Sequence, residues 1–328
     1  MTHSGAAPGA PSAAPGRPPR AWWPPLRRVL TIAFFAAVAW LLVSQARRID
    51  WGDVMGVMRS YPHDRLLAAF GFAALAHTLY GSYDLLGRAW TRHGLPRVEV
   101  VAVTFVSYAF NLNFGSLVGG IAFRYRLYSQ LGLGKIVITR VLGLSLATNW
   151  LGYLVLAGAL FALALVVPPA HWPVSPVACR ALGAALLLAG AAYLAVCAWS
   201  PRRDWQVRGH TVSLPPLRLA LLQLVLSCAH WLCGAAVLYM LLAPQLSYPT
   251  VLSTLMMAAV AGVITHIPAG LGVLEAVFLA LVGDLVPSGE LLAAVLAYRA
   301  LYYLGPLLTA CIVYVLIEAH ARRKKASA

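Results

Sequence analysis

ITHIPAGLGVLEAVFLALV, residues 264–282, sets Pro268, Gly270, Gly272 and the carboxylate of Glu275 inside an apolar run long enough to cross a bilayer. Lipid offers no partners to backbone N–H and C=O groups. A break in a membrane helix is therefore tolerated only where the bared backbone lines a cavity or is buried in protein. Pro268 ends a helix, and the glycines permit a reversal that other residues resist. The stretch reads as a helical hairpin: residues 249–267 enter, the chain turns at PAGLG, and 271–286 return. The return helix begins near Leu271, where free N–H groups and the helix dipole favour an anion such as phosphate.

The rest of the chain has the same solvent. Of 328 residues, 61% are hydrophobic and 11% charged, which marks a polytopic membrane protein. At about 20 residues per crossing, full spans are expected near 29–45, 65–90, 136–167, 179–199, 218–243 and 290–318. Residues 1–28 are rich in Pro, Ala and Gly and basic, a composition that cannot bury apolar surface, so they read as a disordered tail. The run after them has no A-x-A-like cleavage site and reads as an uncleaved first helix. The formal charge of +15 is spread as short clusters beside apolar runs, where topology and anionic headgroups select them. Nucleic acid is therefore not an expected partner. The five cysteines show no metal-like pairing with histidine, and no metal or cofactor is expected.

Loop charges assign the two faces, because cytoplasmic loops are enriched in Lys and Arg. Arg17, Arg20, Arg27 and Arg28, then Arg88, Arg92 and Arg97, then Arg202, Arg203, Arg208 and Arg218, then residues 321–328 with Arg322, Arg323, Lys324 and Lys325 all fall on one side. Both termini are thus expected in the cytoplasm. Residues 168–179 and 243–249 contain no Lys or Arg, as the opposite face requires. The loop 46–65 dissents; Trp51, Val54, Met55 and Met58 share a helical face there, as in a helix lying in the interface. If 98–118 crossed fully, the basic stretch Arg124, Arg126, Lys135 and Arg140 would be forced outside. A second hairpin, entering from the cytoplasm and turning near NFGSLVGG, keeps it inside. GGIAFR (Gly119, Gly120 to Arg124) then overlays GLGVLE (Gly270 to Glu275), with five residues from first glycine to charge in each. The expected fold is all-α: six full transmembrane helices plus two oppositely oriented re-entrant hairpins, arranged as an inverted repeat whose broken helices meet near the midplane.

A charge in lipid costs at least ~2.5 kcal/mol on insertion scales and marks a functional site by default. Arg299 lies about nine residues, or ~13 Å, into its helix, and Arg140 enters less deeply from the other face. Glu275 is the expected counter-charge for these arginines, released when a phosphate competes; a static ion pair pinning hairpin to bundle is the alternative. The expected substrate contacts are Arg124, Arg140, Glu275, Arg299, Asn113 and Tyr302. Asn111 and Asn113 are placed to hydrogen-bond exposed backbone at the first turn. Asp84 sits four residues before Arg88 and is expected to pair with it. His77, His230 and His266 read as interhelical hydrogen-bonding residues.

YDLLGRAWTRHGLP, FVSYAFNLNFGSLVGGIAFRYRLYSQLGL and HIPAGLGVLEAVFLAL resemble the lysylphosphatidylglycerol synthase transmembrane (flippase-like) family, in particular its YbhN-type inner-membrane members. The resemblance covers most of residues 30–320, with PAG here where many relatives have PGG. It implies a single lipid-handling membrane domain, residues 29–320, in a bacterial inner membrane. In the larger synthases a similar region flips aminoacylated lipid while a separate soluble domain transfers lysine. With no counterpart of that domain here, aminoacyl transfer is not expected and the chain is not expected to be an enzyme. The function implied is binding and translocation of a lipid, an anionic phospholipid or lipid-linked phosphate, through a polar groove between the hairpins. Membrane phospholipids are the expected partners, with a homo-oligomer or a lipid-pathway enzyme as further ones. No G-x-x-x-x-G-K-[ST] motif occurs, so movement would be downhill, ion-coupled or partner-driven. The rivals are a scaffold or regulator of a phospholipid pathway, a secondary transporter of a soluble solute, and an enzyme acting on lipid-linked phosphate.

Overall fold

The computed structural model describes residues 51–165, 175–207, 210–242, 244–265 and 270–326, with Trp40 and Ile267. The basic tail, all of the expected first span but Trp40, and Pro268 and His266 lie outside the described residues.

After α1 (Trp51–Ser60), Pro62 precedes α2 (His63–Gly81), which runs through Ser82 in helical conformation into α3 (Tyr83–Thr91). Pro96 opens α4 (Arg97–Phe114), and Gly115 at φ 83° ends it. A π-helical segment, Ser116–Ala122, leads into α5 (Phe123–Gln130). α6 (Lys135–Ala162) and α7 (Pro176–Trp199) follow; the Ser175 hydroxyl caps α7 by accepting from Ala178 N at 3.1 Å, one of the orphan donors at a helix start. A two-stranded antiparallel hairpin, β1 (Asp204–Val207) and β2 (His210–Ser213), pairs Asp204 with Ser213 and Val207 with His210. Then come α8 (Leu217–Leu242), α9 (Tyr248–Thr265), α10 (Val273–Val282), α11 (Ser288–Tyr298), a second π-helical segment Arg299–Leu304, and α12 (Gly305–Ala326).

Among the described residues, six stretches are long and apolar enough to cross a membrane: His63–Thr91, Lys135–Ala162, Pro176–Trp199, Leu217–Leu242, Tyr248–Thr265 and Ser288–Ala319. The chain is an all-α polytopic membrane protein. Five of these match spans expected from sequence. The sixth is α9, which the sequence assigns to a hairpin arm; its 18 residues reach ~27 Å, close to the ~30 Å of the hydrocarbon core.

Small residues let the helices approach, as membrane helix packing requires where lipid tails are as apolar as leucine. Ala69, Ala73 and Ala76 form one buried face of α2, against α8. A Cβ on Gly152 of α6 would collide with Ser227 of α8, and one on Gly183 of α7 would collide with the backbone of Ala162 of α6. The outer helix α7 is the least buried of these stretches, and exposed Leu182, Leu188 and Val196 face away from the protein core.

In both segments expected as hairpins, neighbouring helices pack on one another. In the first, α4 packs on the π-helical segment and α5. Phe110 stacks on Phe123 with centroids 4.2 Å apart, and a Cβ on Gly119 would overlap the backbone of Phe110 and Asn111. In the second, α9 packs on α10, and the reversal uses Gly270 at φ 55° and Gly272 at φ 77°, left-handed conformations that glycine adopts without strain. The π-helical segment at Arg299–Leu304 has a local cause. Pro306 has no N–H to offer the preceding turn, and Gly305 N bonds Ala300 O five residues back.

Candidate functional site

α10 starts in the turn at Gly272, so Glu275 stands in its first turn, where the helix dipole favours a carboxylate. The anion at this helix start is thus the protein's own side chain. The π-helical segment directs Arg299 to it: Nε donates to Oε1 at 2.6 Å and Nη2 to Oε2 at 3.0 Å, a two-pronged pair. Nη2 also donates to Gly270 O at 2.8 Å, and the guanidinium lies 5.6 Å from the Tyr303 ring centroid. Arg299 therefore ties both the turn and the return helix of the second hairpin to the bundle. Its side chain is 9% exposed, against 25% for Glu275, so the carboxylate is the more exposed member of the pair.

The first hairpin holds a second clamp, and here two expectations are corrected. Arg124 does not present its charge to a groove: it is 1% exposed. Nε and Nη2 donate to the two oxygens of Asp84 at 3.0 and 3.3 Å, and Nη2 also donates to Ser145 Oγ at 3.2 Å. Asp84 accepts again from Tyr128 OH at 2.8 Å and is fully buried. It does not pair with Arg88, whose Nε donates to Leu95 O at 2.6 Å. The four-residue spacing offered a near cation, but the hairpin delivers another to the buried face of α3. Arg140 is a third correction. It is exposed on α6 and does not line the space between the hairpins.

That space is a cavity of about 670 Å³, bounded by both hairpin turns. Gly115 and Leu117 of the first turn and Ile267 and Gly270 of the second contribute to its wall. The remainder is mostly apolar and aromatic; among the described residues that line it, none is Asp, Glu, Lys or Arg. The groove expected to be polar is therefore lined by uncharged groups, with the Arg299 clamp just behind Gly270 and Tyr303. Tyr302 lies in this wall, where its hydroxyl meets Tyr108 OH at 3.1 Å. Tyr108 OH in turn meets His230 Nε2 at 3.2 Å, and His230 Nδ1 lies 3.0 Å from Ala76 O. Asn113 is buried outside the cavity, where Nδ2 donates to Ala109 O at 2.8 Å and to Tyr303 O at 3.3 Å. It holds backbone of the second π-helical segment, not of its own turn.

An aromatic row runs from one clamp to the other. The Arg124 guanidinium lies 5.8 Å from the Tyr80 centroid; Tyr80 stacks on Tyr108 at 3.6 Å; Tyr108 meets Tyr302; and Tyr302 packs at 6.0 Å on Tyr303, beside Arg299. All four tyrosines line the cavity. Sequence reasoning missed Tyr80 and Tyr108, although their place inside apolar spans was a usable signal; His230 makes the interhelical hydrogen bonds expected of it. It also missed a third ion pair, Arg126 Nη2 to Glu318 Oε1 at 3.1 Å, which joins α5 to α12.

The model of the lysylphosphatidylglycerol synthase TM region matches residues 28–310. The chain belongs to this family. Among members and relatives, it is 45% identical over 305 residues to the inner membrane protein YbhN of Escherichia coli K12, covering 93% of this chain and 96% of that one. An uncharacterised protein of Synechocystis sp. is 27% identical over 315 residues, covering 93% and 98%. A phosphatidylglycerol lysyltransferase of Staphylococcus haemolyticus is 24% identical over 317 residues, which span 91% of this chain but 35% of the larger protein. The shared part thus contains both hairpins and both clamps of this family member.

Proposed function

We propose that the protein binds a membrane lipid in the cavity between its two hairpins and moves the headgroup across the inner membrane while the acyl chains stay in the bilayer. The carrying observation is the cavity itself, walled by residues of both turns, with the Arg299–Glu275 ion pair beside it. In this reading the hairpins are re-entrant, enter from opposite faces and form an inverted repeat, with both termini cytoplasmic. The positions overlaid by sequence, Arg124 and Glu275, support it: each is the hairpin's charge in a clamp to a bundle helix.

A lipid phosphate offers two anionic oxygens to a guanidinium fork, as Glu275 already does to Arg299. Exchange of one for the other keeps the guanidinium neutralised, which avoids the several-kcal/mol cost of leaving a buried charge unpaired, about 3–5 kcal/mol. Release of Glu275 frees the return helix, while Arg299 Nη2 still holds Gly270 O. The test is headgroup accessibility in reconstituted vesicles. Arg299→Ala and Glu275→Gln should slow translocation at least ~10-fold while the protein stays folded. Wild-type rates in both variants would remove the clamp from the mechanism.

A further inference from the structure

We infer that His77 is a proton-binding site that loads together with the lipid phosphate, so that one proton travels with each headgroup. The inference rests on the translocation reading and names what is coupled to it. His77 stands at the centre of a membrane span, fourteen residues from either end of His63–Thr91, or roughly 21 Å of helix on each side. The sequence reads it as an interhelical residue, yet its hydrogen bond lies within its own helix: Nδ1 is 2.9 Å from Ala73 O. A carbonyl only accepts, so Nδ1 carries the proton of the neutral ring and Nε2 is a bare lone pair. Nε2 is buried and has no hydrogen-bond partner among the described residues. A buried acceptor left unmatched costs stability and is the exception in folded proteins.

His230 is fixed in the same tautomer by Ala76 O, but its Nε2 lies 3.2 Å from Tyr108 OH. The unmatched base is therefore His77. Phe105 and Tyr108 of α4 pack on its ring with centroids at 6.0 and 5.2 Å, and Tyr302 of the second π-helical segment at 4.9 Å. From α8 its titratable neighbour is His230. Aromatic faces favour a cation, but none of these groups brings a negative charge. The carboxylates of the two clamps, Asp84 and Glu275, are engaged by Arg124 and Arg299. Without an added anion, an imidazolium at His77 is an unpaired buried charge.

A lipid phosphate is that anion. Its exchange for Glu275 on Arg299 leaves the region one negative charge richer, which a proton on Nε2 offsets. Tyr108 and Tyr302, whose rings pack on His77, both line the cavity, so the imidazole sits one ring behind the wall that the headgroup meets. The proton comes from water on the side where the headgroup enters, binds the Nε2 lone pair, and returns to water on the other side as the phosphate leaves. Each partner then strengthens binding of the other by the same factor. The phosphate acts in this way whatever group it bears, an amine included.

The experiment follows fluorescent phosphatidylglycerol and phosphatidylethanolamine in vesicles of these two lipids that contain the full-length protein. Potassium and valinomycin clamp the membrane potential at zero, and dithionite bleaches outer-leaflet probe once its distribution is steady. At one proton per lipid, an imposed pH step should enrich the transported probe in the leaflet facing the alkaline side by about tenfold per pH unit. In His77→Gln the probe that still crosses should ignore the step, whereas Glu275→Gln, though slower, should reach the wild-type ratio. Wild-type movement with no response to pH overturns the proton inference while translocation stands. A response kept in His77→Gln, or lost in Glu275→Gln alone, places the proton elsewhere and overturns the site. A readout that needs no variant is the ring-nitrogen NMR spectrum of histidine-labelled wild type, in which His77 should turn from neutral to imidazolium when phosphatidylglycerol binds. A ring that stays neutral with lipid bound overturns the assignment. Failure of both probes to move under any gradient overturns the translocation reading and this inference with it.

Discussion

Replacing Asp84 by Asn tests how the first hairpin is held. The carboxylate is fully buried and accepts from Arg124 twice and from Tyr128 once. Asparagine keeps the shape but turns one acceptor oxygen into an NH₂ group facing donors, and leaves the Arg124 cation uncompensated at 1% exposure. Breaking a buried pair from one side costs about 3–5 kcal/mol, or roughly two to three and a half decades in the folded-to-unfolded ratio at 1.4 kcal/mol per decade. Glu318→Gln, which breaks a pair whose side chains are 18% and 12% exposed, should cost less, on the order of 1 kcal/mol. The assay is unfolding of the purified protein in mixed micelles by SDS titration. Asp84→Leu with Arg124→Leu should be less damaging than either single change, because removing both charges removes the desolvation problem. Loss of less than about 1 kcal/mol in Asp84→Asn, or strict additivity in the double variant, would refute the clamp.

Three further outcomes follow from particular residues. Gly119→Ala should prevent the first hairpin from closing, since its methyl would overlap the backbone of Phe110 and Asn111; stability should fall by about 3 kcal/mol or more, or no folded protein be recovered, and a normal yield with unchanged stability contradicts that packing. His93, in the loop after α3, has its pKa lowered from 6.5 by burial and then by Arg88, with Asp84 opposing. The unfolded chain then binds the extra proton first, so stability present above pH 6.5 is lost as pH falls below it; His93→Gln should flatten that part of the unfolding-midpoint profile. Single cysteines placed at Arg92 and at Asp284 should label from opposite sides of the membrane, and labelling from one side would rule out the proposed topology.

The sequence carried the membrane class because apolar runs and loop charges are one-dimensional signals that lipid enforces directly. The second reversal was equally legible, since Gly270 and Gly272 adopt the positive φ that such a turn needs. So was the meeting of Glu275 with Arg299, two charges in apolar surroundings with few other partners of their depth. Asp84 was misassigned because helix spacing sees only neighbours four residues away, whereas Arg124 comes from forty residues on. Arg140 shows the complementary gap: depth along a helix can be counted, but the face it presents depends on what packs there, and this one is exposed. The aromatic row was hidden for the same reason. Tyr80, Tyr108, Tyr302 and Tyr303 come from three separate segments, and only the fold makes them one wall. The second π-helical segment, by contrast, follows from Pro306 and was open to sequence reasoning.

The central claim is that the space between the hairpins is where lipid sits. Its most direct measurement is an electron cryomicroscopy map of the protein in nanodiscs made from the lipids of its native membrane. A headgroup between Tyr302 and Gly270, with acyl chains leaving past Leu117 and Ile267, is the predicted result. A well-resolved cavity that stays free of lipid in such discs, while Arg299 and Glu275 remain paired, would contradict it.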